Sequence, residues 1–206
     1  MTEQIVQGSP EWLQARCGSL GASAIQDALA KTKTGWGASR EAVKARLIIE
    51  RLTGTPQDTY QNEAMRWGNE QEPHAADAYS FVRNVELETC GIYKHPFIQG
   101  THASPDRLIG EDGLIEIKCP LSSTHLDTLL KKKIPQKYVT QMQWQMACTN
   151  REWCDFVSYD PRFPAKHQLF IHRVERDDRL IAQLENDVAE FLDEVQAALN
   201  ELEGTL

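Results

Sequence analysis

Between Leu108 and Lys118 the chain reads Leu-Ile-Gly-Glu-Asp-Gly-Leu-Ile-Glu-Ile-Lys, two apolar stretches around an acidic, glycine-bounded turn. Such a segment specifies a hairpin, because Gly110 and Gly113 supply the turn while β-branched and leucine residues flank it. Leu114 to Lys118 alternates in character, so a period of two puts Glu116 and Lys118 on one face of the strand. Pro105-Asp106 stands just ahead of Leu108 and Ile109, so Asp106 can sit on the neighbouring strand. Asp106, Glu116 and Lys118 can then converge at one sheet edge, with the backbone carbonyl of Ile117 nearby. Two carboxylates hold a hard divalent cation through oxygen, and a lysine beside them orients or deprotonates a water. Metal-assisted phosphodiester hydrolysis needs this set of parts. Alternating charge is also common on a solvated strand face. The Pro-Asp turn ahead of the hairpin and Cys119-Pro120 behind it favour the chemical reading.

Helical patterns surround this hairpin. Ser9-Pro10 opens a short helix through Trp12, Leu13 and Arg16, as N-cap and first-turn proline. Gly18 and Gly21 interrupt, and Ser23 is expected to cap a second helix over Ala24 to Lys31. Lys31 to Gly37 reads as a mobile basic loop. Ser39 is expected to cap a helix with apolar Val43, Leu47, Ile48 and Leu52 that ends at Gly54. Another helical region spans roughly Asn62 to Val82, perturbed by Pro73. Strands are expected over Val85 to Tyr93, Gly100 to Ser104, Leu108 to Ile109 and Leu114 to Lys118. Helices follow over His125 to Lys132 and Gln136 to Ala147, then strands over Glu152 to Tyr159 and His167 to Glu175. Arg179 to Leu202 carries a long apolar stripe, with its own core as the expected partner. The fold class is α/β (α+β): residues 1–206 as a single domain, a core over about 10–175 with a central mixed sheet flanked by helices, and a C-terminal amphipathic helix over about 179–202.

Several classes are disfavoured. No run of about 18 apolar residues occurs, so no membrane span is expected. The first residues hold neither a basic region nor an apolar stretch, so no secretory signal is expected. Five cysteines without a Cys-x-x-Cys pair argue for a reducing, cytoplasmic compartment, and the six scattered histidines have no zinc-ligand spacing. The net charge of −8 is unusual for a nucleic-acid enzyme. Nine of the 30 acidic residues lie between Asp177 and Glu203, where Arg179 is the one basic residue. The remainder is electrically neutral, which leaves room for a local basic groove.

With the motifs in view, the chain resembles the phage lambda exonuclease family, the viral and prophage alkaline exonucleases of the PD-(D/E)xK nuclease superfamily. The resemblance rests on Pro105-Asp106 and Glu116-Ile117-Lys118-Cys119-Pro120. It extends in order through Trp12-x-x-x-Arg16, Ala22-Ser23, Trp67-Gly68-x-x-x-Glu72, Gln141-x-Gln143 and Tyr159-Asp160-Pro161-Arg162. It implies a restriction-endonuclease-like core and a two-metal site for Mg²⁺, with Mn²⁺ as a substitute. Asp106, Glu116 and the Ile117 carbonyl would be ligands, Glu72 would complete the acidic shell, Lys118 would contact the attacking water, and Gln141 would position Lys118 or that water. By composition alone Glu70 and Glu72 are equal candidates; the Trp-Gly-x-x-x-Glu pattern selects Glu72.

The same resemblance assigns Arg16 and Ser23 to a pocket for a 5′-phosphate, with Lys33 as a third basic contact and Ser104 near the scissile bond. A guanidinium binds phosphate bidentately, and a serine at a helix start adds a donor. Met65 falls at the family's strand-separating wedge, with an ordinary core methionine as the other reading. Arg107 stands where relatives often have glycine, and would either contact the DNA backbone or turn outward. Thr124 replaces a basic residue, a contact that His125 or Lys131 to Lys133 would have to supply. The implied activity is digestion of the 5′-ended strand of double-stranded DNA ends, leaving 3′ overhangs. Implied partners are a homotrimeric ring of the chain itself and a single-strand annealing recombinase, in the cytoplasm of a bacterium or phage-infected host. The alternatives are another PD-(D/E)xK endonuclease or RecB-like nuclease, and a non-catalytic DNA-end-binding module.

Overall fold

A computed structural model describes residues 7–33, 35–57 and 63–204. Its largest sheet has four strands, β6 (Arg107–Ile109), β7 (Gly113–Lys118), β8 (Trp153–Tyr159) and β9 (Leu169–Glu175), in that spatial order. β6–β7 and β8–β9 are antiparallel and β7–β8 is parallel, so the sheet is mixed, as the sequence predicts. A second sheet pairs β1 (Leu20–Gly21) with β5 (Thr101–Ala103) in parallel, and β5 with β4 (Tyr93–Lys94) antiparallel.

The alternation of β7 divides the core. Ile115 and Ile117 pack with Val157 against Ala75, Ala76 and Tyr79 of helix α4 (Glu63–Arg83). Leu114, Cys154 and Phe156 pack on the other face against Met142 and Met146 of helix α6 (Gln136–Thr149). Parallel β7 and β8 cannot be joined by a tight turn, and the crossover is built from α5 (Ser122–Lys131) and α6. Helix α7 (Asp178–Glu203) buries Ile181, Leu184, Val188, Phe191, Leu192, Val195 and Leu199. Its stripe meets Leu20, Ile25, Ala28, Leu47 and Trp144, contributed by β1, α2 (Ile25–Ala28), α3 (Ala38–Thr53) and α6. Asp177 caps α7, its Oδ1 accepting from the N–H groups of Arg179 at 3.1 Å and Leu180 at 3.0 Å. Asp177→Ala is expected to cost about 1 kcal/mol in urea denaturation, with an unchanged m value. No described helix is long and apolar enough to cross a membrane.

Some expectations change. Helix α1 (Pro10–Arg16) has the predicted cap, Ser9 Oγ accepting from Trp12 N–H. Ser23 caps nothing: it lies in a 3₁₀ turn over Ala22–Ala24, and α2 ends at Ala28, whose carbonyl accepts from Arg40. Residues expected as a loop form the hairpin β2 (Lys31–Thr32) and β3 (Gly35–Trp36), where Trp36 stacks under Arg40 at 3.7 Å; Thr34 lies outside the described residues. Helix α3 starts after Gly37 without a side-chain cap, and Ser39 Oγ instead donates to the carbonyl of Asp27. It ends as predicted at Gly54, whose positive φ suits a residue without Cβ. Helix α4 runs unbroken through Pro73; Asn62, the predicted start, lies outside the described residues. The strand expected over Val85 to Tyr93 is reduced to an isolated bridge, Glu88 to Leu108, and to the start of β4. Side chains take over its pairing, with Cys90 Sγ donating to the Pro105 carbonyl and Ser104 Oγ to the Gly91 carbonyl.

Candidate active site

Asp106 ends the turn between β5 and β6 and is buried beside β7. Its Oδ2 accepts the N–H of Ile117 at 2.6 Å, which ties it to the backbone between Glu116 and Lys118. Period two turns Glu116 and Lys118 together toward α6. Glu116, 1% exposed, is held from three directions: Oε1 accepts from Gln141 Nε2 at 2.8 Å and Lys118 Nζ at 2.5 Å, and Oε2 from Gln145 Nε2 at 2.6 Å. Four residues make about one helical turn, so Gln141 and Gln145 share one face of α6. Gln143 faces elsewhere and bonds the carbonyl of Glu175 and the N–H of Asp177. Gln141 thus contacts the carboxylate, whereas the resemblance points it at Lys118 or a water.

The electrostatics follow from burial. Desolvation and then the Glu116 carboxylate push the Asp106 carboxyl well above the ordinary carboxylate range, against the pull of Lys118 and the Ile117 N–H. Burial alone would lower the Lys118 ammonium, but Glu116 and Asp106 together outweigh it and hold it above its ordinary value. One ammonium therefore leaves the carboxylate pair short of positive charge. This is a fit for a hard cation, since the donors are oxygens. The sulfur and nitrogen groups of the same cleft are poor ligands. Burial pushes the Cys90 and Cys119 thiols up to about 12, and both His102 ring nitrogens are engaged by protein groups.

The third acidic group is turned aside. Glu72 of α4 lies 3.1 Å from Arg107 Nη1, and the same nitrogen donates to the Asp106 carbonyl. Arg107 neither projects outward nor stands free to meet a DNA backbone; it bridges Glu72 to the turn that carries Asp106. Among the described residues no three His, Cys, Asp or Glu side chains stand close enough together to enclose a metal. Asp106 and Glu116 are the carboxylates brought together here, Ile117 borders the same cleft, and Glu72 would have to exchange Arg107 for a cation.

These groups line a cleft of about 1620 Å³. Arg16, Ser23, Met65, Glu72, Ser104, Asp106, Glu116, Ile117, Lys118 and Gln141 all border it. Lys33 is not among its lining residues and lies exposed in the β2–β3 turn. Met65 is 48% exposed, which removes the core reading. Beyond Arg16, the cleft receives Trp12, Ser19, Arg46, Glu50 and His102. Arg16 packs over the Trp12 ring at 3.9 Å and donates from Nε to His102 Nε2 at 3.0 Å. Sequence reasoning missed Gln145 and His102. The spacing of four from Gln141 could have pointed to Gln145. His102 lies two residues before Ser104 along the extended segment of β5, which is a weaker signal. Not every matched motif reaches the cleft: Asp160 and Arg162 pair with each other, bind Ser122 and stack on Trp67, fastening α5 and α4 to the end of β8.

A family model described as a YqaJ-like viral recombinase domain matches residues 11–152. The alkaline exonuclease LHK-Exo of Laribacter hongkongensis has a TM-score of 0.89 and 46% identity, over 96% of this chain and 97% of its own. The same protein in complex with dAMP has a TM-score of 0.90 at 46% identity, with the same coverage of 96% and 97%. A phage related exonuclease from Haemophilus somnus 129PT shares the fold, with a TM-score of 0.73 and 16% identity over 89% of this chain and 96% of its own. Uncharacterized protein R354 of Acanthamoeba polyphaga mimivirus is 30% identical over a 173-residue alignment that covers 75% of this chain and 29% of that protein's length.

Proposed function

The chain belongs to the YqaJ-like viral recombinase domain family, and on that premise we propose that it is a nuclease that digests the 5′-phosphorylated strand of double-stranded DNA ends. The observation that carries this is the pair of buried carboxylates, Asp106 bonded to the Ile117 N–H and Glu116 to Lys118, at one part of a cleft that also holds a guanidinium over an indole. The 46% identity to an alkaline exonuclease over nearly the whole chain supports the exonuclease activity.

In this reading Asp106, Glu116, the Ile117 carbonyl and Glu72 hold magnesium, or manganese in its place, as two ions. When bound, such a cation would polarise the scissile phosphate and acidify a water. Gln141 and Gln145 fix the rotamer of Glu116, so the carboxylate needs no reorganisation at the moment of reaction. Lys118 stays protonated between two carboxylates and acts as a donor that orients the attacking water. Arg16, with Ser23 and Ser104, binds the terminal phosphate, and Met65 at the cleft rim is an apolar wedge against the end base pair. Polarity, the 3′ overhang for single-strand annealing with a recombinase partner, the homotrimeric ring and the cytoplasmic setting rest on the resemblance. A ring suits the charge distribution, because acidic α7 would face away from DNA.

The test is digestion of end-labelled linear duplex with Mg²⁺. The 5′ label should be lost first, covalently closed circular duplex should survive, and chelation should stop the reaction. Cleavage of the closed circle would transfer the proposal to an endonuclease on the same core.

A further inference from the structure

The part of the cleft around Arg16 holds a group with no assigned role. His102, in β5, is 2% exposed. Its Nε2 accepts from Arg16 Nε at 3.0 Å, and its Nδ1 lies 2.8 Å from Ser19 Oγ. A nitrogen that accepts carries no proton, so the neutral ring must carry it on Nδ1 and donate to Ser19. The Ser19 hydroxyl hydrogen is then left to point elsewhere, and Ser19 borders the cleft. Arg16 spends only Nε on this contact. Among the described residues Arg16 forms no ion pair with a carboxylate, its side-chain bond being the one to His102, and its guanidinium carbon lies over the Trp12 ring at 3.9 Å. Space for the pair is reserved by Gly21, where a Cβ would come within 3.2 Å of both Arg16 Nη2 and His102 Nε2. The backbone of Gly21 has an ordinary φ of −79°, so this close approach, and not conformation, is what calls for glycine.

We infer that His102 is a positioning residue for the terminal phosphate: it holds the Nε edge of Arg16 so that both terminal nitrogens face the cleft, and it turns the Ser19 hydroxyl into a further donor beside them. This rests on the proposal that the cleft receives a 5′-phosphorylated end. The choice of a neutral ring has a chemical reason. A carboxylate at this position would orient Arg16 equally well, but it would neutralise the guanidinium and compete with the phosphate. An imidazole orients without cancelling charge. Burial, then Arg16 and Arg46, hold the His102 pKa down to about 3, so the ring remains an acceptor throughout the range in which an enzyme of this kind works.

The experiment compares kcat/KM on duplex ends bearing a 5′-phosphate and a 5′-hydroxyl, as a ratio, for wild type, His102→Phe and His102→Gln. Glutamine can accept from Arg16 and donate to Ser19; phenylalanine can do neither. The ratio is expected to fall about tenfold or more in His102→Phe and to stay within about threefold of wild type in His102→Gln. A defect of folding alone would lower both substrates together and leave the ratio at its wild-type value, and that outcome overturns the inference. A wild-type ratio of one removes the phosphate-pocket reading itself and the inference with it, so the two failures are distinct. Should His102→Phe not fold, ¹⁵N NMR of the wild-type imidazole decides: a neutral ring protonated on Nδ1 at pH 5 to 8 is expected, and a charged ring or the Nε2–H tautomer overturns the assignment.

Discussion

Asp106→Asn is expected to lower nuclease turnover by about a thousandfold and, in metal-free protein, to raise the melting temperature. Both effects have one cause. The Asp106 carboxyl is pushed well above the ordinary range by burial and by Glu116. Asparagine has nearly the same volume, and its oxygen can still accept the Ile117 N–H, so packing and the backbone bond survive while the charge goes. The sign with pH follows from the raised value. The folded state binds the proton more tightly than the unfolded chain, whose carboxyl titrates near 3.8. Stability from the protonated group is complete below that pH and is lost as pH rises through the higher folded value. The gain from asparagine should therefore be larger at pH 8 than at pH 5, measured by scanning calorimetry in chelator. Magnesium at a hundredfold excess over its Kd should stabilise wild type by about 2.7 kcal/mol and leave Asp106→Asn almost unmoved. Wild-type turnover in the variant would remove Asp106 from the proposed metal site.

Asp155→Ala is expected to destabilise the protein by about 3 kcal/mol, lowering the melting temperature by about 10 °C. Asp155 is fully buried on β8, on the face toward α4. Its Oδ2 accepts from the Tyr79 hydroxyl at 2.7 Å and its Oδ1 from Arg173 Nε at 2.8 Å, with Arg83 at 4.0 Å. Alanine strands the Tyr79 phenol, 1% exposed, without an acceptor. Arg173 is 44% exposed and stacked on Trp153 at 3.5 Å, so it can turn to water and contributes less of the loss. Urea denaturation measures the effect, and a loss under about 1 kcal/mol would mean that water replaces the carboxylate. The face is opposite the one that carries Glu116 and Lys118, so turnover at low temperature should be retained.

Legibility in the sequence followed locality. Strand β7, helix α6 and helix α7 emerge within about two residues of the predicted bounds, β7 and α7 because each carries a strong periodic signal. Lys31 to Gly37 and Val85 to Tyr93 depart from their sequence patterns for the opposite reason. The first segment is pinned as a hairpin by a cation–π contact with Arg40, from the following helix, and the second loses its ladder to side-chain bonds with Ser104 and Pro105. Within the site, the residue types and the shared face of Glu116 and Lys118 were readable. The hold of Gln145 on Glu116 was readable in principle, through its spacing from Gln141.

From the sequence alone come the oxygen-donor chemistry at Asp106 and Glu116, the lysine beside them, and a family resemblance consistent with the YqaJ-like match. The tertiary structure alone decides that Arg107 takes Glu72, 35 residues away, and that His102 takes Arg16, 86 residues away. Local periodicity relates residues a few positions apart and carries no information about such distances. These pairings are set by how the helices dock on the sheets, and by which buried charges must find a partner when they do.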